Sequence, residues 1–423
     1  MQQKLERRLE LHKKIYKKFQ HRFNTLDSLY HFLVEPYPEE FSINEIKKYW
    51  KNFLKSFPET YLNFYLHIPF CKSKCAYCLY YSWVTSKFNS WKLEKYVNYM
   101  KKLFEIFSDV FSNKKFTNLY VGGGSPNILS EEQIERLLKN LFLFFSFEKE
   151  GQRTFEMNPN LGSLKKLLIV KKFGFNRVSF GIQSTNDQVL KTNRRIQNWE
   201  VAKETILTAK KLGFQVNVDL MINLKGDNPQ FFHKSLKDVT SLDIDNVTVY
   251  TLLPSQNYAK KFLNSSLKDY YRKHPKKIKP YLEILKNAEK EFGFGAKSIE
   301  PFHPFKFNFG LSNLGSFYKT NFEQLKQFLY PGEIGGRVCF STFALGFTAR
   351  SHIFSQLEYE QFPEYILDPN EKVFEGKRIS LKEEMILFIL DNLEFSMKIP
   401  LDQFKKEFKI SLEKAFPLTI QAY

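Results

Sequence analysis

Cysteine and long apolar segments are both scarce in this chain. Four cysteines among 423 residues are too few for the disulfide framework of a small secreted protein. No stretch approaches the roughly 18 uninterrupted apolar residues that a membrane-spanning helix needs. The first residues, MQQKLERRLE, lack the basic segment and apolar run of a signal peptide. We therefore expect a soluble, unexported, cytoplasmic protein without a membrane span.

Acidic residues are fewer than basic ones. Lysine and arginine number 64 against 45 aspartates and glutamates, which gives a net charge of +19. Such an excess fits nucleic acid, an acidic protein or an anionic substrate as a partner. The lysines are scattered along the chain, so the charge alone does not select among these partners. Hydrophobic residues make up 43% and aromatic residues 17%, which excludes a disordered chain.

The two ends of the chain predict mainly helices. Residues 1–60 form a predicted N-terminal helical extension, with a basic amphipathic helix over residues 1–25 and a second helix over Ile43–Phe57 after a proline-bearing turn at Glu35–Glu40. Residues 376–423 form a predicted small helical unit, in which Ser380 and Glu383 make a capping-box signature.

Residues 61–254 alternate between short β-rich runs and helical patterns. Strands are predicted near Leu62–His67, Asn118–Val121, Thr154–Met157, Arg177–Phe180, Val216–Leu220 and Val247–Thr251, and helices near Trp91–Phe107, Glu131–Phe144, Leu164–Phe173 and Glu200–Leu212. Six β/α units in series predict an α/β fold with a parallel sheet, either an open doubly wound sheet or a partial barrel.

Residues 255–375 lose this alternation. Turns rich in proline and lysine, such as HPKKIKP, are predicted to flank a helix near Tyr281–Phe292. We expect this segment to extend the β/α region and to cover the substrate.

Three cysteines crowd together directly after the first predicted strand, as Cys71, Cys75 and Cys78. Thiolates at this spacing can converge on a soft metal centre. Structural zinc would need a fourth ligand, either His67 or the remote Cys339. A four-iron cube suits three cysteines better, because it leaves one iron open for a chelating cofactor. The remaining alternative is a loop with three free or redox-paired cysteines.

Polar or glycine signatures also follow the next strands. The second strand leads into Gly123, Gly124 and Ser125, where backbone N–H groups can hold a carboxylate. The following three strands end near Glu156, Gln183 and Asp219. Because the carboxyl ends of parallel strands share one face, we predict that these residues form a single active site there.

These motifs, in this order, resemble the radical S-adenosylmethionine family. The resemblance rests on YLHIPFCKSKCAYC, GGGSP, EMNP, NRVSFGIQS and VDL, with a fainter echo at LGFTARS. More narrowly, they are similar to the oxygen-independent coproporphyrinogen III oxidase branch, which also contains haem chaperones and radical methyltransferases. The resemblance covers about residues 61–254.

The resemblance implies a partial (β/α)6 barrel, a [4Fe–4S] cluster and S-adenosylmethionine, one molecule or two. It implies that Cys71, Cys75 and Cys78 bind the cluster, whose electron would cleave S-adenosylmethionine to a 5′-deoxyadenosyl radical. Matched position by position, the contacts to the cluster-bound S-adenosylmethionine are Tyr65, Gly123 and Glu156. The contacts to a second S-adenosylmethionine are Tyr77, Gly124, Ser125, Gln183, Arg195 and Asp219.

Several of these residues also have a purely structural interpretation. For His67 we favour packing over metal ligation. Glu156 and Asp219 are alternatively a pair of structural carboxylates. Arg194 is adjacent to Arg195 and competes for its role. We interpret Cys339 as a buried structural thiol.

The sequence departs from the family at three places. Leu79-Tyr80 stands where the porphyrin oxidases have a further cysteine, Asn223-Leu224-Lys225 replaces Gly-Leu-Pro, and the His-Asn-x-x-Tyr-Trp motif of the haem chaperones is absent. The first hypothesis is therefore a radical enzyme that oxidises or methylates a small molecule, such as a tetrapyrrole, or forms a ring or C–C bond in it. The alternatives are a non-catalytic haem chaperone and a zinc- and nucleic-acid-binding protein.

We expect an acidic electron donor, such as a flavodoxin or ferredoxin, as a protein partner. Such a donor would be steered by a basic face near the cluster. Nucleic acid is not expected as a partner, and the catalytic residues for the substrate cannot be assigned from the sequence.

Overall fold

The computed structural model describes residues 39–58, 60–85, 91–296, 313–319, 340–396 and 399–417. Its strands, in chain order, are β1 (Glu39–Ser42), β2 (Tyr61–Ile68), β3 (Phe70–Cys71), β4 (Trp83–Val84), β5 (Lys115–Phe116), β6 (Asn118–Gly123), β7 (Ser146–Phe147), β8 (Arg153–Met157), β9 (Arg177–Gln183), β10 (Gln215–Ile222), β11 (Asn246–Thr251), β12 (Phe294–Ala296), β13 (Asn313–Lys319), β14 (Phe340–Leu345), β15 (Arg350–Ile353), β16 (Leu357–Gln361) and β17 (Lys372–Arg378).

The α-helices complete the set of elements. They are α1 (Ile43–Ser56), α2 (Trp91–Ser108), α3 (Glu131–Phe144), α4 (Leu164–Lys172), α5 (Asp187–Thr192), α6 (Trp199–Lys211), α7 (Pro229–Thr240), α8 (Gln256–Phe262), α9 (Leu267–Phe292), α10 (Leu381–Ser396), α11 (Leu401–Phe408) and α12 (Leu412–Ala415).

Six parallel strands form the centre of the molecule. Strands β2, β6, β8, β9, β10 and β11 lie side by side in chain order. A helix follows each strand, so that the segment consists of six β/α units. This arrangement is the partial (β/α)6 barrel that the family resemblance implied, and each of the six predicted strands is confirmed within a few residues.

Further strands extend the sheet on both sides of the barrel. Strand β14 pairs parallel with β2, and β15, β16, β17 and β1 continue the sheet from there in antiparallel order. On the other side, β13 and β12 follow β11. The LGFTARS segment therefore lies directly beside the first barrel strand.

The two faces of the barrel strands differ in polarity. The outward-facing residues are apolar and buried against the helices, and they include Leu62, Phe64, Leu66, Leu119, Val121, Phe155, Val178, Phe180, Val216, Val218, Leu220, Val247 and Val249. The inward-facing residues are mostly polar, and they include Asn63, Tyr65, His67, Asn118, Tyr120, Thr154, Glu156, Arg177, Ser179, Asn217, Asp219, Asn246, Thr248 and Tyr250. Because side chains alternate along a strand, one run of residues builds both the core and the site.

The helix that follows the barrel is longer than predicted. Helix α9 runs unbroken over Leu267–Phe292 and includes the HPKKIKP segment that we predicted as turns. Tyr270, Tyr281 and Leu285 are buried at helical spacing on both sides of this segment. Tyr270 packs in one apolar cluster and Tyr281 and Leu285 pack in another. This burial offsets the cost of about 3 kcal/mol for each of the two prolines inside the helix.

The predicted turn at Glu35–Glu40 is wrong for its last two residues. Glu39 and Glu40 belong to strand β1, which pairs antiparallel with β17 and places Phe41 opposite Phe374. Both phenylalanines are buried in the core, and this burial favours the extended conformation. Helix α1 follows directly and begins with a capping box formed by Ser42 and Glu45.

After strand β17, the described C-terminal residues form helices α10, α11 and α12. Ser380 and Glu383 form the predicted capping box, in which the Ser380 N–H donates to Glu383 at 2.8 Å and the Glu383 N–H donates to the Ser380 hydroxyl at 3.3 Å. His352 of β15 contacts Glu384 of α10 at 2.8 Å, and both side chains are buried.

Two predictions, the basic helix over residues 1–25 and the buried Cys339 thiol, lie outside the described residues. Among the helices that the structure describes, none has both the length and the apolar character needed to cross a membrane.

Candidate active site

A cavity of about 420 Å³ opens at the carboxyl ends of the barrel strands. The sequence proposed twelve site residues on separate strands and loops, and the structure places all of them on the walls of this one cavity. They are Tyr65, Cys71, Cys75, Tyr77, Cys78, Gly123, Gly124, Ser125, Glu156, Gln183, Arg195 and Asp219.

The three cysteines follow the first barrel strand as one short loop. Their thiols are free and partly buried. The loop is fixed by backbone hydrogen bonds, including one from the Ala76 N–H to the Asn193 carbonyl at 2.9 Å. Burial raises the pKa of Cys71 and of Cys78, whereas the nearby Lys74 ammonium lowers both pKa values. Since thiolates repel one another, Cys75 also raises the pKa of Cys71, and Cys75 and Cys71 both raise the pKa of Cys78.

The glycine loop approaches the cysteine loop too closely for any side chain. A Cβ atom on Gly124 would lie 2.5 Å from the Phe70 carbonyl oxygen and 2.9 Å from the Cys71 sulfur. Gly123 has φ +117°, and a Cβ atom there would lie 2.9 Å from the His67 ring. Both positions therefore need glycine, the first for space and the second also for its backbone conformation.

These observations fit an iron–sulfur cluster as the group held by the loop. Three free thiols face one cavity beside exposed glycine backbone, which is the donor chemistry that such clusters use. Within the described part of the chain, no three or more His, Cys, Asp or Glu side chains are gathered to hold a metal ion directly. In a four-iron cube each thiolate binds a different iron, so the three cysteines need not converge on a single ion.

Glu156 lies on β8 at the inner wall of the cavity. Its Oε2 accepts a hydrogen bond from the Gly123 N–H at 3.0 Å, and its Oε1 accepts one from the Tyr120 hydroxyl at 2.5 Å. Burial raises the pKa of Glu156 to about 7, even though the Tyr120 hydrogen bond lowers it. A carboxylate poised near neutral pH at the glycine loop can bind a cationic ligand group.

Asp219 lies on β10 across the cavity. Its carboxylate accepts hydrogen bonds from the Asn217 amide at 2.8 Å and from the Ser179 hydroxyl at 3.3 Å. Burial raises the pKa of Asp219 to about 6. Each of the two carboxylates is bonded to its own set of neutral donors.

Tyr65 and His67 are neighbours on the inner face of β2. The Tyr65 hydroxyl lies 2.9 Å from Nδ1 of His67. His67 is buried, and burial lowers its pKa to about 4, so the ring is neutral at physiological pH. Its Nε2 has no hydrogen-bond partner among the described residues.

Arg195 connects three parts of the site. Its Nη1 lies 3.7 Å from the Cys75 sulfur and 3.5 Å from the Tyr77 hydroxyl, and its Nε donates to Gln197 at 2.9 Å. A further nitrogen donates to the Gly181 carbonyl. The adjacent Arg194 instead lies over the Phe262 ring at 5.2 Å. The structure thus separates the two arginines and points Arg195 into the site.

Sequence reasoning missed several residues that also line the cavity, among them Tyr120, Tyr250, Thr348 and Arg350. A signal existed for Tyr120, because it precedes the glycine loop on β6 by an even number of positions and faces the same side as Gly122. Thr348 and Arg350 belong to the LGFTARS echo, which the sequence could not place in space.

Comparison with known proteins identifies the family of the segment that contains this site. Residues 65–239 match the family model of the Radical SAM superfamily. The chain is 31% identical over 195 residues to the oxygen-independent coproporphyrinogen III oxidase of Escherichia coli K12. The aligned segment covers 46% of this chain and 42% of the relative. It is also 30% identical over 203 residues to the heme chaperone HemW of Buchnera aphidicola. This alignment covers 47% of this chain and 54% of the relative. The matches thus span about half the length of these curated relatives.

The fold is also found in a solved structure. The coproporphyrinogen III oxidase of Escherichia coli, described as a radical SAM enzyme, superimposes with a TM-score of 0.72 at 21% identity and covers 91% of this chain and 88% of its own. The predicted cofactors, a [4Fe–4S] cluster and S-adenosylmethionine, are those of the superfamily. The segment from residue 65 to residue 239 is therefore a radical S-adenosylmethionine domain, in a chain that resembles the oxygen-independent coproporphyrinogen III oxidase family.

Proposed function

We propose that the protein is an enzyme that cleaves S-adenosylmethionine reductively at a [4Fe–4S] cluster and acts on a tetrapyrrole or another organic small molecule. The observation that carries this proposal is the convergence of twelve residues from separate elements on one cavity. When bound, the cluster and S-adenosylmethionine would supply an electron and a 5′-deoxyadenosyl radical.

Each of these residues has a proposed role in binding the cluster or S-adenosylmethionine. Cys71, Cys75 and Cys78 would hold the cluster. Tyr65, Gly123 and Glu156 would contact the S-adenosylmethionine on its open iron. Contacts to a second S-adenosylmethionine would come from Tyr77, Gly124, Ser125, Gln183, Arg195 and Asp219.

The chain itself supplies orientation and charge. The Gly123 N–H and the Tyr120 hydroxyl fix the direction of the Glu156 carboxylate, which can then hold a cationic ligand group in one position. The Arg195 guanidinium places a positive charge beside the Cys75 sulfur. The neutral His67 ring closes the wall beneath the glycine loop.

The test is anaerobic reconstitution with ferrous ion and sulfide, followed by addition of reductant and S-adenosylmethionine. We expect a coloured, iron-containing protein that releases 5′-deoxyadenosine, and we expect neither property in a variant with all three loop cysteines changed to alanine. An iron-free, colourless wild-type sample would overturn the proposal. Such a sample with salt-sensitive affinity for DNA or RNA would support a zinc- and nucleic-acid-binding protein instead.

Product analysis distinguishes the possible reactions. After incubation with coproporphyrinogen III, mass spectrometry would show the loss of two carboxyl groups for the oxidase reaction and an added methyl group for a methyltransferase. A C–C bond-forming enzyme would yield a product joined or cyclised without either change. We propose the oxidase-like reaction first because oxygen-independent oxidases are among the similar proteins.

A haem chaperone is the second candidate, supported by similarity to the heme chaperone HemW. It would bind haem and release no 5′-deoxyadenosine. The absence of tryptophan after Trp199 in the sequence disfavours it, because the His-Asn-x-x-Tyr-Trp motif of that group ends in tryptophan.

The wider assignments are part of the same proposal. We place the protein in the cytoplasm with a small-molecule substrate and an acidic electron donor as partners. Residues 1–60 would act as an extension, residues 61–254 as the barrel, residues 255–375 as the cover of the substrate, and residues 376–423 as the small C-terminal unit.

A further inference from the structure

Tyr120 makes a close contact with one of the proposed cofactor-binding residues. Its hydroxyl donates to Oε1 of Glu156 at 2.5 Å, while the Gly123 N–H donates to Oε2 of the same carboxylate at 3.0 Å. Both oxygens of Glu156 are therefore held, one by the backbone of the glycine loop and one by a single side chain. A charged acceptor makes such hydrogen bonds shorter and stronger than neutral ones.

The hydroxyl of Tyr120 stays protonated and can donate a hydrogen bond. Burial and the nearby Glu156 charge raise the pKa of Tyr120 well above 10, so the hydroxyl keeps its proton at any physiological pH. The ring lies 6.0 Å from that of Tyr65, so it is also fixed from the side by the neighbouring strand.

Several other groups act on Glu156 from the surrounding strands. Arg177 of β9 is the cation that favours its ionised form, and Asp219 of β10 is the anion that disfavours it. Tyr65 of β2 and Tyr250 of β11 are protonated phenols whose pKa values are raised by burial and by the Glu156 charge. Among these side chains, Tyr120 is the one that bonds to Glu156 directly.

We propose that Tyr120 is a positioning residue that favours the ionised form of Glu156 and fixes its direction for S-adenosylmethionine. This inference rests on the proposed function, because it takes Glu156 as a contact of the bound cofactor. Tyr120 is not itself expected to touch the reacting atoms. Its effect should therefore appear in the pH dependence of binding rather than as a uniform loss of affinity.

The experiment compares the wild-type protein with Tyr120→Phe. Both are reconstituted anaerobically and kept without reductant, so that S-adenosylmethionine binds without being consumed, and affinity is measured by calorimetry from pH 6 to pH 9. In the wild type, we expect binding to weaken as the pH falls and Glu156 becomes protonated. Without the hydrogen bond, the pKa of Glu156 rises, so the midpoint of this loss should move upward by about one pH unit.

Tyr250→Phe is the matched control. It removes a buried phenol from the same cavity, and the hydroxyl it removes does not bond to Glu156 in the described structure. We expect the pH midpoint of this variant to match the wild type. Iron content and the thermal unfolding midpoint of each variant show whether the cluster and the fold are retained.

Glu156→Gln separates failure of this inference from failure of the proposed function. Glutamine does not titrate, so binding to this variant should lose its dependence on pH, and adding Tyr120→Phe should cause no further shift. An unshifted midpoint in Tyr120→Phe, with Glu156→Gln behaving as expected, would overturn the role of Tyr120 alone. A Glu156→Gln variant that retains the wild-type affinity and pH profile would instead overturn the assignment of Glu156 as a cofactor contact.

Discussion

Glycine at position 124 is required by the space around it. A methyl group there would lie 2.5 Å from a backbone oxygen of Phe70 and 2.9 Å from the sulfur of Cys71. The backbone oxygen cannot move without displacing the strand that begins the cysteine loop. We expect Gly124→Ala to cost about 1–3 kcal/mol of unfolding free energy and to lower the iron content after reconstitution severalfold.

Gly213→Ala is the control for this prediction. Unlike Gly124, Gly213 has a positive φ of +72°, and a Cβ atom there would have its nearest neighbour at 3.8 Å, at the flexible end of Lys171. This variant should be destabilised by backbone strain and still bind a full complement of iron. Equal iron contents in the two variants would contradict the importance of the close approach at Gly124.

Charge at Glu156 also sets a pH dependence of stability. Burial raises its pKa from 4.5 to about 7, so between these values the folded state holds a proton that the unfolded state has released. The contribution of this residue to stability therefore falls as the pH rises through this interval.

Glu156→Gln should stabilise the protein above this interval. Its amide oxygen can accept from the Gly123 N–H and its amide nitrogen can donate to the Tyr120 oxygen. We expect a gain of about 1–2 kcal/mol at pH 8 and no gain at pH 5, measured by urea unfolding. A loss of similar size at both pH values would show that the charge is not what costs stability here.

At the scale of elements, helix α9 is where the prediction of turns from the sequence was wrong. Its two prolines indicated turns, but the apolar spacing of Tyr270, Tyr281 and Leu285 continued through them. Local propensity and the periodic pattern disagreed, and tertiary packing followed the periodic pattern. The barrel strands were predictable because apolar content, turn chemistry and loop motifs agreed there. The position of Arg350 was not, since it depends on a pairing between β14 and β2 that local sequence does not encode.

This disagreement leads to a prediction for Pro280, which is exposed on α9. Pro280→Ala restores a backbone N–H donor and removes the ring clash, so we expect a gain of about 1–3 kcal/mol in unfolding free energy. Lys279→Ala, at a neighbouring exposed position, should change stability by less than about 0.5 kcal/mol. If Pro280→Ala destabilised the protein, a bend at this proline would be needed to seat Tyr281 against Phe232.

At the scale of the whole molecule, the net charge of +19 becomes testable at one surface. Tyr258 of helix α8 lies in a buried apolar cluster that also contains Leu252. Ala76 and Tyr77 of the cysteine loop pack against this apolar cluster. The exposed Lys260 and Lys261 lie on helix α8, which packs beside the cysteine loop. An acidic electron donor would be attracted to this side of the protein.

We expect the paired substitution of Lys260→Glu and Lys261→Glu to slow reduction by a flavodoxin severalfold at low salt. The difference should shrink as the salt concentration rises, because exposed charges are screened within about 10 Å at 0.1 M. The same change at Lys101 and Lys102, two exposed neighbours on α2, keeps the net charge equal and should have little effect. Equal slowing by both pairs would indicate attraction to the overall charge rather than docking beside the loop.

The alternation of polar inward and apolar outward residues along the barrel strands has an evolutionary consequence. The apolar outward side of each strand stabilises the fold, and the polar inward side forms the site. A substitution of an inward-facing residue can therefore alter what is bound with little effect on folding. A scaffold divided in this way can acquire new reactions by small steps. This division gives a physical reason why both oxidases and chaperones can be found among similar sequences.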